Sequence, residues 1–298
     1  MVKPSEWFRE TRPQYLALPV VLIFLGSAVA ATEGAFYLWR AVLALIGLMA
    51  VHISVNVLND YSDYRSGIDF DTVPTPFSGG SGLLVAGIIQ PAAARTFALI
   101  CFGVGVVIGA VFIWVTNWWL LPLLLAGAVS VLFYTDHMAR MTLGEIFAGL
   151  GLGLLPVMGA AFVHTGVYST ATVAAGIPAG ILTFNLLLLN EFPDVEPDRK
   201  GGRRNLLLVF GVETGGKLYT LLLVIMYVWI PVAVALRLMP LPCLLGLLTL
   251  PVALKPMRWA WSHVHENEAM LPVLGANVIT NLATGTLLGI GFILSMFL

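Results

Sequence analysis

The chain has 298 residues, 59% of them hydrophobic and only 10% charged, with a net charge of −1. A soluble domain carries roughly 25% charged residues, so this composition, with a mean hydropathy of +0.92, excludes a water-soluble globular protein. The balance of 15 basic against 16 acidic residues leaves no surplus for a nucleic-acid partner.

In chain order, Trp7-Phe8 beside Arg9 and Arg12 predicts a short interfacial segment. The first apolar run, roughly 14–32, follows Glu6, Glu10 and three basic residues, and reads as a retained span rather than a cleaved signal. A second span is expected over 37–58. The uncharged stretches 96–135 and 146–190 each hold two spans at about 20 residues apiece. Their hairpins are predicted at Asn117-Trp118-Trp119, with tryptophans at the interface, and at Thr165–Ser169. The last three candidates are 217–236, 239–255 and 273–297. The expected fold is therefore all-α: a polytopic membrane bundle of about nine transmembrane helices around a central cavity with a polar cytoplasmic mouth, in one domain over 1–298.

The charges sort with that count. With the N-terminus inside, all basic residues except Arg40 and Arg237 fall on the inner side, as the positive-inside rule requires. An integral protein of the cytoplasmic membrane is expected if the source is prokaryotic, with membrane lipid as its surroundings. Cys101 and Cys243 both fall in predicted spans and read as small core residues.

Polar density gathers in three inner loops. The first opens with "NVLNDYSDYRSGID", where Asn56, Asn59, Asp60 and Asp63 fall at i, i+3, i+4 and i+7 and share one helical face. The second is Tyr134–Arg140, ahead of Glu145. The third, "NEFPDVEPDRKGGRRNL", repeats the pattern with Asp194 and Asp198. Both acid pairs lie on the same side of the proposed topology and would repel each other in a low dielectric. Oxygen-only ligands from Asp and Asn suit Mg²⁺, which keeps waters and binds carboxylates together with substrate phosphates. The neighbouring Arg65, Arg140, Arg199, Lys200, Arg203 and Arg204 fit phosphate oxygens. Taken singly, each acid also reads as a solvated helix cap, and the basic cluster as positive-inside bias. The five histidines show no ligand spacing.

At these residues the sequence resembles the UbiA superfamily of intramembrane prenyltransferases, nine-helix proteins whose NDxxDxxxD and DxxxD motifs bind an isoprenyl diphosphate through Mg²⁺. Asn59-Asp60-x-x-Asp63 matches the first motif and Asp194-x-x-x-Asp198 the second. Within that family it is most similar to the menaquinone branch, the 1,4-dihydroxy-2-naphthoate prenyltransferases, through "RPQYLALPV", "NDYSDYRSGID", "PFSGGSGLL" and "NEFPDVEPDRKGGRRNL". Two departures stand out. Gly67 occupies the place of the third acid, with Asp69 two residues on. Pro193 and Pro197 flank Asp194 and Val195, so the second motif is expected at a kink or a fresh helix start.

The resemblance implies transfer of a polyprenyl group from a polyprenyl diphosphate to an aromatic acceptor, with loss of the acceptor's carboxylate in the naphthoate branch. Asn59, Asp60, Asp63, Asp194 and Asp198 are the expected Mg²⁺ ligands. Asn56, Asn59, Arg65, Arg140, Lys200 and Ser78 are expected to bind substrate, and Tyr134 to face the developing allylic cation. Gly149-x-Gly151-x-Gly153 and Gly285-x-x-x-Gly289 permit close helix packing or tunnel space, and Asn277 and Asn281 share a face of the last span, free to line a cavity or bridge helices. Other acceptors (4-hydroxybenzoate, homogentisate, a glyceryl phosphate lipid, haem or chlorophyllide) remain within the resemblance. A cation-coupled transporter would place its acids nearer the midplane, and a quinone-binding scaffold would not need both motifs.

Overall fold

The structure, a computed structural model, describes residues 2–72, 75, 77, 79–134, 142–265 and 270–298, without the side chains of 133 and 134. Among the described residues it is entirely helical. Eight helices are long and apolar enough to cross a membrane: α1 (Pro13–Thr32), α2 (Leu38–Ser66), α3 (Pro91–Val115), α5 (Gly144–Thr165), α6 (Thr170–Asn190), α7 (Val212–Ala235), α8 (Leu241–Ser262) and α9 (Met270–Leu294). Between α3 and α5, at the place of one of the nine expected spans, lies the apolar helix α4 (Leu121–Tyr134), shorter than the eight that are long enough to cross.

The turns follow local chemistry. Asn117 and Ser169 each accept a hydrogen bond from a backbone N–H two or three residues on, satisfying donors that a helix start leaves free. Gly166 ends α5 in the left-handed conformation, φ 74°. Pro4–Glu10 forms the predicted interfacial helix, with Trp7 packed on Phe97 at 5.0 Å.

The largest difference from the sequence-based boundaries is at α2. It continues two turns past residue 58 before Gly67 caps it at φ 85°. Its polar end stays helical because that face looks into the protein, not into lipid.

In lipid, close packing and interhelical hydrogen bonds hold a bundle together. A Cβ on Gly153 would stand 2.6 Å from the Ala179 carbonyl, and one on Gly149 2.8 Å from that of Gly180. This glycine row therefore serves contact between α5 and α6, and the Gly285/Gly289 pair packs against Val21 and Phe24 of α1 in the same way. Within α5 a π-helical turn, Leu150–Leu154, precedes Pro156 and absorbs the hydrogen bond that proline cannot make.

The main core joins α1 with α6–α9. Inside it a closed polar ring ties three helices. Tyr219 Oη donates to Asn277 Oδ1 (2.9 Å), Asn277 Nδ2 to the Asn185 carbonyl (3.3 Å), and Asn185 Nδ2 to the Tyr219 carbonyl (3.0 Å). Asn277 is thus a bridge between helices, whereas Asn281, one turn on, lines the central cavity.

The contacts also assign the two ends of the bundle. Arg12, Asn59 and Arg203 meet at one end; Tyr37, Arg40 and His164 meet at the other.

Candidate active site

The last turns of α2 carry the first acid motif into a cavity of about 200 Å³, where Asn56, Asn59 and Asp63 form one wall. Asp60, on the edge of the same stripe, points the other way. One of its oxygens faces Arg12 Nη1 at 3.4 Å and the other accepts the Ser81 N–H at 2.7 Å. Asp60 is 1% exposed and absent from the cavity wall. Both of its oxygens are therefore committed to holding the chain in place, unlike those of a free metal ligand.

What Asp60 holds is the glycine-rich loop. Arg12 Nη2 donates to the Gly79 carbonyl (2.6 Å), Tyr15 Oη to that of Phe77 (2.6 Å), and Ser81 Oγ to Glu10 Oε2 (2.7 Å). The segment before α1 thus straps the loop over the cavity. Gly80 lies so near Asp69 that an added Cβ would meet its carboxylate at 2.6 Å. A side chain there would require the Asp69 carboxylate to move.

The second motif begins a new helix. Asp194 is the N-cap of Val195–Lys200, and the Asp198 N–H donates to the Asp194 carbonyl at 2.8 Å. Pro197 falls in the first turn, where its missing N–H has no helical partner to lose. The two prolines therefore leave Asp194 and Asp198 on one face, and both line the cavity. Asp198 is held by Arg203 Nη1 (3.2 Å) and Asn205 Nδ2 (2.9 Å). The other arm of Arg203 donates to Asp63. One guanidinium thus joins the two acid motifs.

Several expected residues lie elsewhere. Lys200 is exposed and paired with Asp71 at 2.9 Å, and Arg65 is exposed over the Tyr61 ring. Neither touches the cavity. Among the described residues the guanidiniums that do belong to Arg12 and Arg203. Arg140 and Ser78 lie outside the described residues, as does the side chain of Tyr134, whose backbone closes α4. Sequence reasoning also missed Glu191 and His52 in the cavity wall. For Glu191 the signal was present, since it stands three residues before Asp194 in the polar stretch.

Among the described residues five carboxylates (Asp63, Asp69, Glu191, Asp194 and Asp198) line the cavity against two guanidiniums. Burial, then the neighbouring Asp198, pushes Asp194 up to about 7. Burial and the charges of Asp63 and Asp60 push Asp69 up to about 7. Asp198 is raised by burial, with Arg203 opposing. Glu191 is raised well above the usual carboxylate range by burial and by Glu145. Such raised values mean that the site is short of positive charge.

A divalent cation fits this donor set. The available ligands are hard oxygens, and their excess negative charge is unneutralised. Among the described residues no three His, Cys, Asp or Glu side chains form a ready-made cage. This accords with Mg²⁺, which takes few protein ligands and completes its shell with water and phosphate oxygens. Below the acids the wall turns apolar, with Leu18, Val55, Leu152, Leu186 and Leu187.

Comparison with known proteins gives the same picture. The model of the UbiA prenyltransferase family matches residues 20–273. The chain is 27% identical to a 1,4-dihydroxy-2-naphthoate octaprenyltransferase of Bacillus subtilis, over 96% of this chain and 92% of the relative. Its fold is similar to that of a digeranylgeranylglyceryl phosphate synthase structure, with a TM-score of 0.68 at 17% identity, covering 98% of this chain and 99% of that one. It is also similar to a UbiA homolog from Archaeoglobus fulgidus bound to DMAPP and Mg²⁺, with a TM-score of 0.61 at 16% identity, covering 95% of this chain and 98% of that one.

Proposed function

Because the chain belongs to the UbiA prenyltransferase family, we propose that this membrane prenyltransferase moves a polyprenyl group from its diphosphate to 1,4-dihydroxy-2-naphthoate, with Mg²⁺ as cofactor. One observation carries the reading. Two acid motifs from distant parts of the chain meet at the polar mouth of an apolar cavity, beside the buried Arg12 and the half-buried Arg203. The Bacillus subtilis relative supports the naphthoate acceptor, and the homolog solved with DMAPP and Mg²⁺ supports the donor and the metal.

Asn59, Asp63, Asp194 and Asp198 would hold the cation, with Asp69 beside them. Bound Mg²⁺ would supply Lewis-acid neutralisation of the leaving diphosphate. Arg12 and Arg203 line the same space and would bind diphosphate oxygens, Arg203 by exchanging its carboxylate partners for them as the cation takes those up. Asp60 anchors the glycine-rich loop through Ser81 and Arg12. The apolar wall accepts the first isoprene units, each buried CH₂ contributing about 0.8 kcal/mol. Excluding water there keeps an allylic cation for the aromatic ring. Tyr134, at the end of α4, is the aromatic residue assigned to that cation. The enzyme would face the cytoplasm with its acid mouth and, in a prokaryotic source, sit in the cytoplasmic membrane.

The test uses purified protein in nanodiscs with a long-chain prenyl diphosphate and 1,4-dihydroxy-2-naphthoate, followed by mass. Product formed with Mg²⁺ and lost with EDTA is the expected result. Mg²⁺-dependent binding of the diphosphate without product would redirect the acceptor to 4-hydroxybenzoate, homogentisate or a lipid. Neither product nor binding would overturn the reading.

A further inference from the structure

Deeper in the cavity two side chains carry polar atoms that the donor substrate does not explain. His52 is 4% exposed and Asn281 3% exposed, and both line the cavity wall. His52 Nε2 and Asn281 Nδ2 have no hydrogen-bond partner among the described residues. Thr183, also in the wall, has its hydroxyl bonded to the Ala179 carbonyl at 2.8 Å, and the unpaired Asn190 Oδ1 and Glu191 Oε2 belong to the segment that carries the second acid motif. A buried polar atom left unpaired is destabilising, and a hydrocarbon tail beside it leaves it unpaired.

The chemistry of the two atoms is complementary. His52 Nδ1 lies 3.1 Å from the Leu48 carbonyl. A carbonyl only accepts, so Nδ1 carries the proton, and Nε2 of the neutral ring presents a bare lone pair. It accepts a hydrogen bond. Asn281 Nδ2 is an amide nitrogen and donates one. One acceptor and one donor on the wall of an apolar chamber match a ligand with a hydroxyl and an anionic oxygen on a flat apolar body.

Position agrees. His52, Asn56, Asn59 and Asp63 follow one face of α2 at spacings of four, three and four. His52 lies about 6 Å along the axis below Asn56 and roughly 16 Å below Asp63, at 1.5 Å per residue. A diphosphate held at the acid mouth fills the upper part of that stripe. An attacking ring approaches the first prenyl carbon from the side away from the leaving group, and His52 lies on that side of the acid mouth along α2.

We propose that His52 Nε2 and Asn281 Nδ2 form the acceptor subsite, His52 taking the ring hydroxyl and Asn281 the carboxylate of a hydroxylated aromatic acid. The subsite rests on the prenyl-transfer reading of the same cavity.

The test measures binding of 1-hydroxy-2-naphthoate, 2-naphthoate and 1-naphthol by their fluorescence, with KM for donor and acceptor, in His52→Leu, Asn281→Leu and His52→Gln. Wild type is expected to prefer 1-hydroxy-2-naphthoate over either probe lacking one group by about tenfold, the value of one hydrogen bond. His52→Leu should erase the hydroxyl preference, and Asn281→Leu the carboxylate preference. Each should raise acceptor KM about tenfold or more while donor KM stays within about twofold. His52→Gln, which keeps an acceptor atom, should recover part of the loss, and thermal unfolding in EDTA should match wild type.

Unchanged probe preference, or a rise in donor KM in place of acceptor KM, would overturn the subsite and leave the diphosphate site standing. Binding of Mg²⁺ and diphosphate by a wild type that binds no naphthoate probe would do the same. Failure of wild type to bind the diphosphate with Mg²⁺ would overturn the parent reading, and the subsite with it.

Discussion

The two ends of the bundle are built from similar residues and solve opposite problems. At the far end a cation closes a helix. Arg40 Nη1 donates to the Val163 carbonyl at 2.8 Å and sits over the Tyr37 ring. His164 is held between Ser27 Oγ (3.1 Å) and the Tyr37 N–H (3.2 Å), and Asn117 Nδ2 caps the Gly166 carbonyl at 2.9 Å. There one cation and a few polar groups end the helices that a membrane protein must end. At the mouth, among the described residues, five carboxylates surround two guanidiniums, and Glu145 and Glu191 each keep a buried oxygen without a partner. Charge beyond what structure needs marks the end that binds something.

The strongest way to break this contrast is to remove an acid from the mouth. Asp63→Ala and Asp194→Ala should each lower turnover by about 10²–10³-fold or more, the size of a lost electrostatic contact to a developing charge. Thermal unfolding in EDTA should stay near wild type, because each removes a charge that its neighbours already oppose. Loss of fold in both variants would make these acids structural, like Arg40.

Arg203 sharpens the comparison next. It is the internal cation that ties Asp63 to Asp198. Arg203→Gln leaves two buried carboxylates facing each other, a change costing up to about 3–5 kcal/mol and less where one takes up a proton. The melting temperature in EDTA should fall, and Mg²⁺ should restore more of it than in wild type. A variant whose stability ignores Mg²⁺ would detach Arg203 from the metal site.

Proton affinity gives a third, smaller effect. The carboxyls of Asp194 and Asp69 stand near 7 against a usual 3.8. A folded value raised in this way gives stability that is full below the usual value and lost as pH rises through about 7. In EDTA the melting temperature should therefore fall between about pH 4 and 7 and level off above. Cation binding needs the ionised forms, so Mg²⁺ affinity should climb over the same window. Calorimetry in two buffers of different ionisation enthalpy would register the released protons, and a flat profile would remove the charge argument.

Much of this was legible before any coordinates. The lengths of the uncharged runs place the helices, eight of them of membrane-crossing length among the described residues, and spacing puts Asn59 and Asp63 on one face of α2 and Asp194 with Asp198 on another. What was not legible depended on which neighbour reaches which atom. Asp60 and Asp63 look alike in the sequence, yet Asp60 meets Arg12 and Ser81 while Asp63 faces the cavity. Lys200 and Arg203 differ by three residues, yet one pairs with Asp71 in solvent and the other bridges the motifs. Helical spacing fixes the face of a residue. It does not fix which side chain from another helix arrives there, and that choice separates a ligand from a strut.

Asp60→Asn tests that separation more finely. Asparagine keeps an oxygen for the Ser81 N–H but loses the charge that faces Arg12. The glycine-rich loop should loosen, raising substrate KM by a few fold while metal affinity stays close to wild type. A loss of metal affinity as large as that of Asp63→Ala would return Asp60 to the ligand set.

The smallest effect belongs to the far end, and its sign is opposite. Arg237 follows the last turn of α7 at φ 59°, a left-handed conformation that costs a side chain about 1 kcal/mol or more. Its own N–H donates to the Val234 carbonyl at 2.9 Å, and the Leu238 N–H to that of Ala233 at 2.9 Å. This is the two-bond helix terminator in which glycine is the favoured residue. Arg237 is one of only two basic residues expected on that side, and nothing in its contacts ties it to the cavity. Arg237→Gly should therefore stabilise the protein, by about 0.4–1 kcal/mol after the added freedom of the unfolded chain is counted, and leave turnover unchanged. Thermal unfolding and a single activity assay decide it. A drop in turnover would mean that the far end is coupled to the chemistry, and the division between a closing end and a binding end would fail.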